Sequence, residues 1–198
     1  MPVRTLKDTI GNIDIYLLDQ ILKERYKSTH KILDAGCGYG RNLYWFYQNG
    51  FNIYGIDKDS KSIAHLSTLY PNSKDNFVVS ELDNLSFEDN FFDHIISNAV
   101  LHFAKNTDHF EEMFAELVRV LKVNGSLFVR MTSNIGIENN VKEISDGVYA
   151  IPDGTTRFLI TKELIDQFMK SYRLSFLEPL KTVNVNDLRC MTTLVLRK

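Results

Sequence analysis

Three glycines in the first quarter of the chain have the spacing of a ligand-binding turn. The apolar run Ile32–Ala35 leads into Gly36, Gly38 and Gly40, and the residues that follow have helical spacing. A strand, a glycine turn and a helix N-terminus together let a ligand approach bare backbone amides. Asp57 ends the next apolar run, about 20 residues after the first glycine, where nucleotide-binding βαβ units place a carboxylate for the ribose hydroxyls. The sequence therefore predicts a nucleotide-like ligand at this turn.

The charge around the turn separates two kinds of ligand. The glycines are spaced G-x-G-x-G, whereas dinucleotide sites have G-x-G-x-x-G, and Asp34 lies two residues before Gly36. A carboxylate there would repel a pyrophosphate dianion but would attract a cation. S-adenosylmethionine has no phosphate and carries an ammonium and a sulfonium beside its carboxylate. The pattern therefore favours S-adenosylmethionine over NAD, with Asp34 toward the ammonium and the amides of residues 36–38 toward the carboxylate.

Later segments extend this pattern. The glycine segment resembles motif I of the class I S-adenosylmethionine-dependent methyltransferases, and Phe77–Asp93, His94–Phe103 and Leu121–Val129 resemble the segments that follow in that family. The resemblance is strongest over residues 30–131. It implies a doubly wound α/β fold, with a mostly parallel seven-stranded sheet, helices on both faces and an antiparallel edge strand.

The same resemblance implies contacts to the cofactor. Asp57 would bind the ribose, Glu81 would replace the usual Asp at the adenine amino group, and the Leu82 amide would face the adenine ring. The segment after the fourth strand would lie under the methionine moiety, and S-adenosylhomocysteine would be the product. The predicted cofactor-binding residues are Asp34, Ala35, Gly36, Cys37, Gly38, Asn42, Asp57, Lys58, Glu81, Leu82, Asn98 and Ala99.

Each prediction has a simpler alternative. The glycines could form only a packing turn, Asp57 could cap a helix that starts at Asp59–Ser60, and Glu81 could be a solvated loop residue. His102 could be a packing residue rather than a base. Two rival functions also stay open. One is an NAD-dependent oxidoreductase, which the charge pattern opposes, and the other is a module that binds S-adenosylmethionine without turnover.

Composition and charge are typical of one globular domain. The 198 residues are 44% hydrophobic and 24% charged, with a net charge of −2. We expect a helical N-terminal cap (1–30), a cofactor-binding core (31–131) and a substrate-side region of loop, helix and edge strands (132–198). The basic residues are dispersed, so we expect no nucleic-acid partner.

The chain also has few signals for membrane or metal. No apolar run approaches the roughly 20 residues that span a bilayer, and the N-terminus lacks a secretory apolar region. We therefore predict a cytoplasmic protein without a membrane partner. Cys37 and Cys190 do not have metal-ligand spacing, so we interpret both as free thiols and predict no metal site.

Helical and strand patterns surround the glycine turn. Helices are expected near residues 12–26, from the turn to Asn49–Gly50, after Ser60, after Thr107 and after a Thr161 cap. Strands are expected at 126–131, and an edge hairpin is expected from 174–177 and 192–196. The long segment 133–160 predicts a lid or binding loop, with a small hairpin around Ile151–Gly154.

The acceptor side is predicted from charged and aromatic residues. Arg130, Arg157 and Arg189 lie at the edges of the candidate entry regions, and arginine forks suit carboxylates and oxyanions. We expect two or more of them to bind a small polar or anionic substrate, although each could instead form a surface ion pair. Tyr16 and His102 are the candidate catalytic residues, and a base is needed only if the nucleophile is protonated.

Two further segments bear on the substrate class. Gly11–Tyr16 and Arg189–Thr193 look like segments of small bacterial stand-alone methyltransferases, some of which resemble the tellurite-resistance group. The fourth predicted strand ends in Asn98-Ala-Val-Leu101 rather than the Asn-Pro-Pro-Tyr type of tetrapeptide that DNA and RNA amino-methyltransferases keep. We therefore expect a small-molecule substrate. The sequence sets neither the acceptor atom nor the oligomeric state.

Overall fold

The computed structural model of the protein describes residues 5–198, so the first four residues of the predicted cap lie outside the described part. The strands are β1 (Lys31–Ala35), β2 (Asn52–Asp57), β3 (Phe77–Val79), β4 (Phe92–Asn98), β5 (Leu121–Ser133), β6 (Lys142–Ser145), β7 (Val148–Ala150), β8 (Thr156–Phe158), β9 (Ser175–Phe176), β10 (Lys181–Val185) and β11 (Arg189–Arg197). The α-helices are α1 (Leu6–Ile10), α2 (Ile15–Leu22), α3 (Tyr44–Gln48), α4 (Ser60–Leu69), α5 (Thr107–Val120) and α6 (Lys162–Ser171). Short 3-10 helices lie at Pro71–Asn76 and Leu101–Phe103.

The main sheet is mostly parallel. Seven strands follow the order β10-β11-β5-β4-β1-β2-β3, and β9 pairs with the far end of β11. The pairs from β5 to β3 are parallel, whereas β11 is antiparallel to both β5 and β10. Strand order reverses between β1 and β4, and open α/β sheets bind ligands beyond the carboxyl ends of the strands at such a point. The predicted fold class is confirmed.

Alternate residues of the central strands enter two different apolar clusters. In β5, Leu127 and Val129 belong to one cluster and Phe128 belongs to the other, as the period of two in a strand requires. Phe114 of α5 and Phe168 of α6 cover the first cluster. The helix residues of the second cluster are Leu17 of α2, Phe46 of α3, and Ile63 and Leu66 of α4. Helices therefore cover both faces of the sheet.

Capping side chains set where the helices begin. Thr161 accepts a hydrogen bond from the Leu164 backbone N–H, which confirms the predicted cap of α6. Helix α4 is capped by Asp59, whose carboxylate accepts from the Lys61 and Ser62 N–H groups. The alternative that Asp57 caps this helix is therefore wrong. The amphipathic helix expected after Thr107 is present as α5.

The expected lid segment contains a second, three-stranded sheet of β6, β7 and β8. Residues 151–155 form the turn between β7 and β8, where the Gly154 N–H donates to the Ile151 carbonyl, so the predicted hairpin is confirmed. The main-sheet hairpin is formed by β10 and β11, and the expected first strand at 174–177 contributes only the two-residue β9. The turn signal that was missed is Asn186-Asp187, where both residues have positive φ as a tight hairpin turn requires.

An ion network joins α2 to the start of β10. Glu178 accepts hydrogen bonds from Gln20, Lys23 and Lys181, and Lys181 also binds Asp19 at 3.0 Å. The two ends of the described chain are therefore tied together beside the sheet. No helix within residues 5–198 has the length and apolar content to cross a bilayer.

Candidate active site

A cavity of about 390 Å³ lies beyond the carboxyl ends of β1, β2 and β4. Six of the predicted cofactor residues line this cavity: Gly36, Asp57, Lys58, Glu81, Leu82 and Ala99. Four separate parts of the sequence therefore meet there, as expected for a switch-point crevice. The remaining predicted residues belong to the glycine turn, the adjoining strands and the start of the following helical segment.

The glycine turn combines close packing with open space. Gly36 has a φ of +80°, and a Cβ on it would lie 2.3 Å from Cγ2 of Val100. A Cβ on Gly38, with a φ of +49°, would meet no heavy atom within 4 Å. The packing alternative thus explains Gly36 but not Gly38, where the space beside the backbone is large enough to admit a ligand.

Asp57 joins this turn to β2. One carboxylate oxygen accepts from the Gly38 N–H at 2.8 Å, and the other accepts from the Asp59 N–H at 2.9 Å. The side chain is only half-buried and lines the cavity. Its position at the end of β2 is the one from which a carboxylate can reach a ribose.

Asp34 is buried without a partner. The residue is 1% exposed, and within residues 5–198 neither carboxylate oxygen has a hydrogen-bond partner. Burial raises the pKa of Asp34 to about 7, and the Arg41 cation only partly offsets that effect. A buried, unpaired carboxylate is costly unless a cation or a donor reaches it. This arrangement suits a ligand ammonium and opposes a phosphate.

A second unpartnered side chain lies on the neighbouring strand. Asn98 at the end of β4 is 7% exposed, and neither its amide nitrogen nor its oxygen has a partner. Ala99 follows with a φ of +62°, an uncommon backbone conformation for a residue with a Cβ, and its N–H donates to the Arg130 carbonyl at 2.7 Å. Strain and unsatisfied polar atoms at one point are typical of a ligand site. No sequence pattern signals the positive φ of Ala99.

The loop after β3 is held from outside by α5. Glu116 accepts from the Leu85 N–H at 2.7 Å, and Arg119 donates to the carbonyls of Leu85 and Phe87 at 2.9 and 2.8 Å. Leu82 of this loop is buried in the cavity wall, whereas Glu81 is exposed at its edge. Sequence reasoning missed both helix residues. The signal available was an acid and a base three positions apart on the polar face of an amphipathic helix.

Arg130 faces the N-terminal helix. Its guanidinium lies 3.5 Å from the Asp14 carboxylate and 5.1 Å from the Tyr16 ring centroid. Asp14 is itself buried and caps α2, and its backbone N–H donates to Asn42 at 3.2 Å. Arg130 is therefore in an ion pair, as the alternative to substrate binding predicted. The Asn42 side chain holds Asp14, the residue that caps α2. Tyr16 lies on this side of the site.

Arg157 and Arg189 lie on a different side, beside His102. His102 is 8% exposed, and its Nδ1 has no partner. Burial, and then the nearby Arg157 and Arg189 cations, lower the pKa of His102 to about 4. The ring is therefore neutral at pH 7 and able to accept a hydrogen bond, but it is too weak a base to hold a proton at that pH. The Arg157 and Arg189 cations lie near enough to act on this histidine, whereas Arg130 lies against Asp14.

Comparison with known protein sequences gives evidence that is independent of the site geometry. A profile of the family described as a methyltransferase domain matches residues 33–129. An uncharacterised methyltransferase of Schizosaccharomyces pombe is 29% identical over 109 residues, which is 54% of this chain and 74% of that protein.

Solved structures show the same fold. An S-adenosylmethionine-dependent methyltransferase from Methanosarcina mazei has a TM-score of 0.71 at 19% identity, over 89% of this chain and 96% of that one. The 1,6-didemethyltoxoflavin-N1-methyltransferase of Burkholderia thailandensis, solved with its substrate and S-adenosylhomocysteine, has a TM-score of 0.67 at 19% identity, over 90% and 75% of the chains. The fold is thus that of S-adenosylmethionine-dependent methyltransferases, and the domain profile, which covers just under half of the chain, supports the same activity.

Proposed function

We propose that the protein transfers the methyl group of S-adenosylmethionine to a small polar or anionic molecule. The observation that carries this proposal is the unpaired, buried carboxylate of Asp34, which lies at the end of β1 just before the glycine turn. The open face of Gly38 gives the ligand room beside the turn, while Asp34 attracts its ammonium. The amides predicted to contact the ligand carboxylate are not free, because the Gly36 and Cys37 N–H groups donate to the Ile56 carbonyl and the Gly38 N–H donates to Asp57.

The remaining cofactor contacts follow from the cavity. Asp57 would bind the ribose hydroxyls, the buried Leu82 would present its amide to the adenine, and Glu81 would reach the adenine amino group from the edge. The side-chain amide of Asn98 would form hydrogen bonds with the methionine moiety of the cofactor. Ala35 and Cys37 would act through their backbone at the turn, and Lys58 lies at the rim of the cavity.

The chemistry needs little from the protein beyond positioning. Bound S-adenosylmethionine supplies a methyl group that its sulfonium already activates. Holding two reactants in line can contribute about 7–11 kcal/mol to lowering a barrier. The neutral His102 ring would accept a hydrogen bond from the nucleophile and orient it, and because its pKa of about 4 makes it a weak base, the proton would leave to solvent. Tyr16 would line the acceptor space on the opposite side under the Arg130 cation.

A small-molecule acceptor is supported by the neighbours and by the surface. The Burkholderia thailandensis enzyme is solved with 1,6-didemethyltoxoflavin, a small molecule. Lysine and arginine are balanced by acids in this chain, 23 against 25. We further propose that residues 1–198 act as one domain in the cytoplasm, with 132–198 on the acceptor side. The narrower likeness to the tellurite-resistance group stays a prediction.

Two measurements test the proposal. Calorimetry should show that S-adenosylhomocysteine binds and that NAD does not, and NAD binding without affinity for S-adenosylhomocysteine would overturn the cofactor site. Labelled methyl transfer should then be screened across hydroxyl, amine, thiol and carboxylate acceptors. Tight S-adenosylhomocysteine binding with no product from any class would instead favour a binding module without turnover.

A further inference from the structure

Three segments that are distant in sequence meet beside His102. The Asp153 N–H, in the turn between β7 and β8, donates to the Leu188 carbonyl at 3.2 Å, which joins this turn to the start of β11. Strand β8 also packs on the 3-10 helix that carries His102. Arg157, on β8, therefore lies near the histidine, with its guanidinium 5.1 Å from the Phe103 ring centroid, and Arg189 lies 3.9 Å from Asp153 of the adjoining turn.

We propose that Arg157 and Arg189 form a binding site for a carboxylate of the methyl acceptor, next to the unpartnered Nδ1 of His102. The proposal rests on the proposed methyl transfer and names the acceptor class: a small carboxylic acid that also carries a hydroxyl or amine donor. The carboxylate lies between the two guanidinium groups, and the donor faces His102.

The three arginines differ in whether a nearby carboxylate already neutralises them, and this decides which can bind a ligand anion. Among residues 5–198, no carboxylate lies within 4 Å of the Arg157 guanidinium, which stacks 5.1 Å from the Phe103 ring centroid. Arg189 has only Asp153, at 3.9 Å. Arg130, by contrast, is paired with the buried Asp14. Arg157, Arg189 and Asp153 together leave one positive charge, which matches a carboxylate monoanion, and the planar guanidinium fork fits that group.

The same short segment connects this cluster to the cofactor cavity. Ala99, Val100 and Phe103 line the cavity, and His102 lies between Val100 and Phe103 with its Nδ1 buried and unpaired. A buried acceptor without a donor is costly, so a ligand that donates to Nδ1 gains a hydrogen bond that the protein alone does not make. Residues 99–103 therefore contribute to both the carboxylate site and the methyl-donor cavity, which lie next to each other.

The test uses benzoate as the anion and benzamide as its uncharged match, titrated into the full chain at constant ionic strength. The ring signals of His102 are followed by NMR, and His102→Gln identifies them among the five histidines. Benzoate should shift them saturably, and benzamide should not. Arg157→Ala and Arg189→Ala should each weaken benzoate at least about tenfold, which corresponds to 1.4 kcal/mol. Arg197→Ala, at the opposite end of β11, is the matched control and should bind benzoate as the wild type does.

Several outcomes would overturn the site. These are an equal response to benzamide, no saturable response to benzoate, or benzoate affinity that survives both alanine substitutions. A tighter response to inorganic phosphate would overturn the assignment to a carboxylate. S-adenosylhomocysteine affinity is measured on the same variants and should not change. A wild-type protein that did not bind S-adenosylhomocysteine would refute the proposed methyl transfer. That result is distinct from failure of the carboxylate site, because the benzoate titration needs no cofactor.

Discussion

Replacing Asp34 by Asn should make the ligand-free protein more stable and the cofactor weaker. The pKa of Asp34 is raised by burial from 3.8 to about 7. Each pH unit of that difference corresponds to 1.36 kcal/mol, so the ionised carboxylate lowers the free energy of unfolding by about 4 kcal/mol above pH 7. The Asn amide would still lack partners, which costs about 1–3 kcal/mol. At pH 8 Asp34→Asn should therefore stabilise the chain by about 1–3 kcal/mol.

The sign of the pH dependence follows from the direction of the pKa change. Between pH 4 and pH 7 the carboxyl of Asp34 is ionised in the unfolded chain but protonated in the folded one, so Asp34 should add to wild-type stability a contribution that falls as pH rises through this window. Asp34→Asn should lose this slope. Urea unfolding at pH 5 and pH 8 measures both effects, with the exposed Asp166→Asn as control.

Cofactor affinity should move in the opposite direction. A hydrogen bond to a charged group contributes about 1.5–3 kcal/mol, so S-adenosylhomocysteine should bind Asp34→Asn roughly 10- to 100-fold more weakly. Calorimetry at pH 8 gives the ratio. If the variant bound the ligand as tightly as the wild type and kept the same pH slope, the role given to Asp34 would be wrong.

Four further substitutions probe other parts of the structure. Gly36→Ala should destabilise the fold by about 2–5 kcal/mol in urea unfolding, because left-handed φ and overpacking against Val100 add; Gly38→Ala should cost only about 1–2 kcal/mol but weaken S-adenosylhomocysteine. Burial and His30 lower the pKa of His94 to about 4, so His94 should contribute a loss of about 3 kcal/mol in stability from pH 6.5 to pH 4, opposite in sign to the contribution of Asp34, and His94→Gln should remove most of that loss. Arg119→Lys keeps the charge but loses the fork, so hydrogen exchange of the amides at 82–89 should quicken and S-adenosylhomocysteine affinity should drop about tenfold.

Each of these changes has a control and a contrary result. Equal destabilisation by the two alanine substitutions would contradict the open space at Gly38. A pH dependence between pH 6.5 and pH 4 that is the same in His94→Gln as in the wild type would contradict a neutral, buried His94. The exposed Arg173→Lys is the control for Arg119, and unchanged exchange in Arg119→Lys would show that α5 does not hold the loop.

Local signals predicted the parts of the fold that short stretches of chain decide. The glycine turn, the position of Asp57 at the end of β2 and the Thr161 cap each depend on residues within a few positions of one another. The predicted first strand of the late hairpin, at 174–177, was misplaced. Residues 174–177 are rich in apolar side chains, whereas the strand that forms the hairpin, at 181–185, alternates apolar and polar residues. Pairing with β11 decides that choice, and pairing is a tertiary property.

The sequence predicted which residues belong to the candidate site but not how they are arranged in it. Residue types near the strand ends pointed to the cofactor residues, yet nothing in the sequence showed that Asp34 and Asn98 lack partners or that Arg130 has one. The partner of Arg130 is Asp14, far away along the chain, and the loop anchors of α5 reach across about thirty residues in the same way. Such contacts exist only once the sheet has formed.

The network around Glu178 has a consequence for how the protein is made. The contact between Lys181 and Asp19 spans 162 residues, and that between Lys23 and Glu178 spans 155. A nascent chain on the ribosome cannot form either until the segment with Glu178 and Lys181 has emerged, and contacts of such long separation are slow to close. Helix α2, which carries Tyr16 and is capped by Asp14, therefore lacks this anchor while all of the parallel strands β1–β5 are already made.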